Sequence, residues 1–315
     1  MTYSAGGLIE ASDYNGFAGG NGGGANVSGQ LNTVLGTGYG NAGYGQTPVA
    51  NVSVSGQVTA AQWTTLVNGV NTVRKHQSGV GFTNLSTYTA GTVINATNDV
   101  SSNLTTAYTN RLSSAASGPT QNQPNQTATL NTASTSAVDF NFSRTATFGS
   151  SDQARYFFNA GGSIKLVLSS VTNTGGTQRG DSLGDIILIA TGKTMTAAAA
   201  SAITTPAPYT EVVDETTNYG YYGQTSANTL VYHATGSAYG PAYSAEFAKL
   251  QWKVTGTAGP NGGLGETITI SVESQSPAQS PAVADSINIT VNHYLQVIYP
   301  DTTYLANTWG SVTFG

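Results

Sequence analysis

Imidazoles, thiols and paired carboxylates carry most protein chemistry, and this chain has few of them. Its 315 residues include 3 His, 15 Asp+Glu and no Cys. Without thiols, disulfide frameworks, thiolate zinc sites and cysteine nucleophiles drop out together. His76, His233 and His293 are widely separated, with no pair at the i, i+4 spacing of a metal-binding helix. His76 falls at an expected helix C-terminus, and His233 and His293 near the ends of expected strands, which favours structural roles. A Ser-His-Asp triad needs no fixed spacing, but there is no Gly-x-Ser-x-Gly elbow to raise a nucleophile. General acid/base work needs two carboxylates at a defined separation, and the scattered acids mark no such pair. Glu211, Asp214 and Glu215, and the pair Asp181/Asp185, are dense enough to consider for Ca²⁺, yet neither reproduces an EF-hand loop. They read as solvated loop carboxylates. Gly38-Tyr-Gly-Asn-Ala-Gly43 has the letters of a dinucleotide-binding turn, but that turn needs a strand before it and a helix after it. A helical stripe precedes it here, so it reads as a glycine-rich loop. No catalytic residue, cofactor or metal ligand is therefore expected, and the chain does not read as an enzyme.

Tyrosine is the informative side chain, with 17 copies and clusters at Tyr219, Tyr221, Tyr222 and at Tyr239, Tyr243. Rigid amphipathic rings flanked by Gly and Ser suit a binding surface, with a host surface glycan or protein as its ligand. The alternative is that these rings anchor strands and loops.

The elements that must position these residues fall into two periodicities. Trp63, Leu66, Val67, Val70 and Val73 form one apolar stripe of a helix that Thr59 can cap and Gly79 can stop. Val93, Ala96, Val100, Leu104, Tyr108 and Leu112 form a second, giving a helical hairpin. Shorter helices are expected over Ser12–Phe17 and Val27–Leu35, separated by the flexible run GGNGGGAN. The Val-rich stripe lacks an obvious third long helix to cover it, so a neighbouring subunit is expected to complete it.

Residues 117–128, SGPTQNQPNQTA, mix Pro, Gly, Gln and Asn without apolar periodicity and read as a linker. Beyond them, period-two and β-branched runs predict strands at Val138–Phe148, Ser163–Ser169, Asp185–Ala190, Thr229–His233, Ala248–Thr255, Glu266–Ser274 and Ser286–Leu295. The expected organisation is α+β: a helical attachment and assembly domain over 1–116, the linker, and an antiparallel β-sandwich or jelly-roll-like domain over 129–315 that projects or binds.

Composition narrows the partners. With a net charge of −5 and 10 Lys+Arg, no basic stripe exists to neutralise a nucleic acid. No run approaches the ~18 apolar residues of a membrane span, so membrane insertion is not expected. The opening residues MTYSAGGLIEASDYNGF contain neither a basic n-region nor an apolar h-region, so no secretory signal is expected. Charged residues are only 8% of the chain. Polarity supplied by Ser, Thr, Asn and Gly, with little like-charge repulsion between copies, suits a closely packed homo-oligomer made in a cytoplasm and used in a particle.

Three stretches resemble a family of tailed-bacteriophage virion structural proteins of the cyanophage type. The first is Asp13-Tyr14-Asn15, followed by Val34-Leu35-Gly36-Thr37-Gly38 and Gly43-Tyr44-Gly45-Gln46. The second runs Val58-Thr-Ala-Ala-Gln-Trp63 and then His76-Gln77-Ser78-Gly79. The third is Ala154-Arg155-Tyr156-Phe157-Phe158-Asn159-Ala160-Gly161-Gly162-Ser163, a junction into a strand. The resemblance covers about the first 80 residues and a patch near 150–165. It implies a virion location in the neck, tail or an attached fibre, with other neck or tail proteins as partners and the named residues shaping the N-terminal module and its junction. It implies no enzymatic activity. A cell-surface adhesin or filament subunit is the alternative and would need an export route; a carbohydrate-active tail spike on a β-scaffold stands behind it.

Overall fold

The computed structural model describes residues 9–20, 26–87, 89, 97–133, 135–279 and 285–315. The first part is helical. Helix α1 (Ala11–Ala18) buries Tyr14 and Phe17, α2 is a single turn (Leu31–Val34), and α3 (Ala60–Ser78) and α4 (Thr97–Thr109) pack on each other. Helix α3 begins with a capping box: the Thr59 N–H donates to Gln62 Oε1 at 2.8 Å, and the Gln62 N–H donates to Thr59 Oγ1 at 3.2 Å. It ends where Gly79 turns left-handed at φ 78°, its N–H donating to the Lys75 carbonyl at 2.8 Å.

The expected helix over Val27–Leu35 contracts to α2, because Gly29 turns the chain at φ 90° and leaves Val27 exposed. On α4, Val100 and Leu104 are buried as the second stripe requires, while Val93 and Ala96 lie outside the described residues. The α3 stripe does not wait for a neighbouring subunit. Trp63, Leu66, Val67, Val70 and Val73 are all buried within this chain, because α1, α2 and α4 all pack against α3 or one another to close the module. Asn15 contributes by pairing both ways with the Val52 backbone at 2.8 Å, so its side chain takes the place of a strand neighbour.

The rest is a β-sandwich, and the fold class is α+β. One sheet has the order β1-β10-β4-β5, with β2 also on β10: β1 (Ser117–Asn122), β2 (Gln126–Thr132), β4 (Ser163–Asn173), β5 (Thr194–Met195) and β10 (Ile287–Pro300). The other has the order β11-β3-β9-β8-β7-β6: β3 (Val138–Thr147), β6 (Thr210–Asp214), β7 (Thr229–Thr235), β8 (Phe247–Thr255), β9 (Thr267–Ser276) and β11 (Thr313–Phe314). All pairings among these strands are antiparallel. Ile268, Ile270 and Val272 of β9 and Ile287, Ile289 and Val291 of β10 alternate inward as their period predicts.

Two expectations are corrected here. Residues 117–128 are not a linker: 117–122 form β1 and 126–128 open β2, both hydrogen-bonded to β10. These strands are largely exposed, so they carry almost no apolar residues and no visible period. Asp185–Ala190 is not a strand but the end of helix α6 (Gln178–Ala190), which packs against β4 and β10 of one sheet and β7, β8 and β9 of the other. A helix buried between two sheets is apolar on several sides, and its DIILIA run then mimics a core strand. The overlooked signals were Thr177, which caps it by accepting from the Gly180 N–H at 3.3 Å, and the stripe Leu183, Ile186, Ile187, Ala190. Among the described residues no helix is long and apolar enough to cross a membrane.

Candidate functional site at the junction of helices and sandwich

Most of the residues that carry the resemblance come together where the loop after α2 meets helix α5 (Ser151–Asn159). Ser150 caps α5, accepting from the Gln153 N–H at 3.2 Å, and the helix delivers Arg155 and Asn159, both fully buried, to the glycine-rich loop. The Arg155 guanidinium donates to the carbonyls of Ala42 at 2.6 Å, Thr37 at 2.8 Å and Gly40 at 3.3 Å, and pairs with Asp152 at 3.1 Å. Asn159 Nδ2 donates to the carbonyls of Gly43 at 3.0 Å and Gly40 at 3.2 Å. The loop thus turns carbonyl oxygens inward on a cation. A phosphate site would need the reverse, amides turned on an anion, and the Gly40 and Gly45 amides are instead spent on the carbonyls of Asn261 and Gly36.

Glycine is required where these pieces touch. A Cβ on Gly38 would meet the carbonyls of Thr33 and Ala42, and one on Gly45 would meet the Tyr156 ring at 2.5 Å. On Gly162 it would meet the Phe157 ring at 2.6 Å, and on Gly161 the Ser114 side chain at 2.5 Å. Gly36, with Gly45 donating to its carbonyl, closes the loop's base.

Helix α3 joins from the other side. His76 Nε2 lies 3.1 Å from the Ala160 carbonyl, which can only accept, so the ring carries its proton on Nε2. Burial holds its pKa below the ordinary value, which keeps it neutral. Its ring meets Tyr44 edge-on at 5.2 Å, and Gln77 Nε2 donates to the Tyr44 hydroxyl at 3.1 Å and to the Ala107 carbonyl at 2.7 Å. Gln46 exchanges hydrogen bonds at 2.9 Å with the Ala306 backbone, tying the C-terminal segment to the loop. Of the motif residues, Tyr14, Asn15 and Trp63 stay in the helical core, and Phe157 and Phe158 pack below the junction. His233 and His293 are elsewhere, on β7 and β10, the first meeting Phe247 edge-on and the second tilted against Phe142.

Of the five tyrosines, Tyr221 and Tyr243 are buried and Tyr219, Tyr222 and Tyr239 are half-buried. Tyr221 is fully buried, stacks on Phe158 at 4.7 Å, donates to the Gly265 carbonyl at 3.0 Å, and has its pKa pushed up to about 12 by burial. The single Tyr222 hydroxyl proton is shared between the Gly40 carbonyl at 2.6 Å and Asn159 Oδ1 at 2.9 Å. Burial holds its hydroxyl well above the ordinary range, so it remains a donor. Tyr219 is half-buried against the core. Tyr239 donates to Asp185 at 3.2 Å, and Tyr243, buried, donates to Asp285 at 2.6 Å. Their rings anchor loops, and Tyr221 and Tyr243 are not displayed. Asp214 and Asp185 are not free loop carboxylates: Asp214 pairs with buried Lys193, and Asp185 accepts from both Tyr209 and Tyr239.

Compared with known proteins, the chain matches no family model, no curated protein and no solved structure. Among the described residues no group of three or more His, Asp and Glu side chains is placed to hold a metal ion.

A second buried polar centre lies beside α6, where sequence reasoning had no signal. Arg179 donates to Ser276 Oγ at 2.8 Å and to the carbonyls of Ser136 at 2.9 Å and Pro277 at 3.1 Å; Ser276 in turn donates to Glu246 Oε1 at 2.7 Å. Glu246 is fully buried, and loss of hydration raises its pKa from 4.5 to about 7 against the opposing pull of Ser182, Ser276 and Arg179. A raised carboxyl pKa means that the folded chain binds the proton more tightly than the unfolded chain. The associated stability is full below 4.5 and is lost as pH rises through about 7. Urea unfolding at pH 4.5 and pH 8 should therefore show a loss on the order of 3 kcal/mol that Glu246→Gln removes. Equal pH dependence in the two proteins would contradict this assignment.

Proposed function

We propose that this chain is a non-enzymatic structural protein of a tailed-phage virion, a neck, tail or fibre component. Its helical region seats on the particle and its β-sandwich projects. The observation that supports this reading most directly is the fate of the motif residues. Arg155, Asn159, Tyr44, Gln46, His76 and Gln77 each make hydrogen bonds to one another or to the backbone, as a rigid joint between two modules requires. The Ser/Thr/Asn-rich strands support the same role, since short polar side chains lose little entropy on ordering.

The test is particle composition. Mass spectrometry of density-banded particles from a lysate of the source should find peptides of this chain at a fixed stoichiometry to the tail proteins. A chain recovered only from the particle-free fraction would refute the proposal.

A further inference from the structure

Edge strands invite pairing with other chains, and folds blunt them with charge, proline, bulges, shortness or a covering helix. Among the described strands that border the two sheets, all but one show such a device. Strand β6 carries Glu211 and Asp214 and a register break between Glu211 and Val213. Strands β5 and β11 are two residues each. Strand β1 contains Pro119 and a register break between Ser117 and Thr120, and β4 carries Lys165 and a register break against β10 between Asn292 and His293. Strand β2 has none of these. Its sequence QTATLNT lacks charge and proline, and it keeps an unbroken register with β10 from Gln126 to Thr132.

The open side of β2 can be identified from β10. The carbonyls of Asn288, Thr290 and Asn292 accept hydrogen bonds from Thr174, Thr172 and Ser169, so they point to the β4 side. In β2 these three residues stand opposite Asn131, Thr129 and Thr127. Those pairs are the non-hydrogen-bonded positions of the β2–β10 ladder, and Thr127, Thr129 and Asn131 therefore direct their N–H and C=O groups away from β10. Among the described residues, β2 pairs with β10 alone.

We infer that β2 is a self-association edge, on which a second copy of this chain pairs antiparallel about a two-fold axis through Thr129. The sequence is complementary to itself in that register. Thr129 meets Thr129 of the second copy and exchanges both backbone bonds, while Thr127 and Asn131 exchange theirs across the axis. On the inner face, half-buried Ala128 and Leu130, which border the core, stand opposite Leu130 and Ala128 of the copy and extend the apolar layer. On the outer face, Thr–Thr and Thr–Asn pairs match without any charge to desolvate. An isologous contact of this kind closes at a dimer, and it does not rest on the virion reading.

The test uses the full chain, followed by light scattering and sedimentation from about 1 to about 100 μM. The wild type should reach twice the chain mass. Thr129→Lys places like charges face to face, and Thr129→Pro removes the outward amide while sparing every N–H that β2 gives to β10. Each should raise the dimer dissociation constant at least ~10-fold with unchanged circular dichroism, whereas Thr210→Lys on β6 should leave it unchanged. Hydrogen exchange should show the Thr127, Thr129 and Asn131 amides protected in the wild type and open in Thr129→Lys. A wild type that stays monomeric throughout, position-129 variants that associate as the wild type does, or a Thr210→Lys variant equally impaired would each overturn the inference.

Discussion

Arg155→Met is expected to destabilise the chain by about 3–5 kcal/mol, because the Thr37 and Ala42 carbonyls lose their only described side-chain donor and a partly buried ion pair is broken. Thr37 and Ala42 accept from the guanidinium at 2.8 and 2.6 Å, whereas Gly40 keeps Tyr222 and Asn159 as donors when Arg155 is removed. Methionine preserves most of the stem's volume, so the loss reports hydrogen bonding and charge more than packing. Asp152 retains Asn261 at 2.9 Å and is partly exposed, so its own penalty is small. Arg155→Lys should recover less than half, since a single ammonium cannot reproduce the planar fork that spans three carbonyls and a carboxylate. Thermal melting should register a fall of roughly 5–10 °C for Arg155→Met. A fall within about 1 °C would show that the junction contributes little to cohesion.

The second large effect belongs to Gly43. Its φ of 94° is a backbone state that L side chains rarely adopt, and a Cβ there would fall on the Thr37 carbonyl, itself held by Arg155. Gly43→Ala therefore combines conformational strain of about 1–2 kcal/mol with a backbone clash that no rotamer can relieve, and a total above about 3 kcal/mol is expected. Gly40→Ala is the matched control. Its φ of 54° is also positive, but nothing lies within 4 Å of the added Cβ, so only the strain remains. Urea unfolding of the two variants separates these contributions. If they lose equal stability, the close approach of the loop to itself is not what requires glycine at position 43.

Helix α3 was legible because local rules agree along it. Thr59 and Gln62 form a capping box, Gly79 supplies the left-handed stop, and the stripe from Trp63 to Val73 has the helical period. Strands β9 and β10 were legible for the same reason, their Ile and Val residues alternating with a core on one side. Where one residue type serves two environments, local pattern fails. The DIILIA run of α6 is apolar because sheets flank it, and that surrounding is a tertiary fact. The QTATLNT run of β2 is polar because it borders the sheet, and only its partner β10 makes it a strand.

The junction divides the same way. That Arg155, Asn159 and the glycines around 38–45 shape one region was expected from resemblance. That the region is a cation held in a ring of loop carbonyls was not, since those contacts span 113 to 118 residues in the chain. Tyr222 is the clearest case: its environment in sequence, Tyr-Tyr-Gly-Gln, suits a displayed binding loop, yet its hydroxyl lies on Gly40, 182 residues away. The sequence by itself determined the α+β class, the capped helix, the alternating strands and the scarcity of charge, because each depends on neighbours within a turn or a strand. Tertiary structure alone decided which tyrosines are buried, that α6 lies between the two sheets, and which sheet edge stays open. Those outcomes depend on what packs against a segment, and burial, unlike periodicity, is a property of the whole chain.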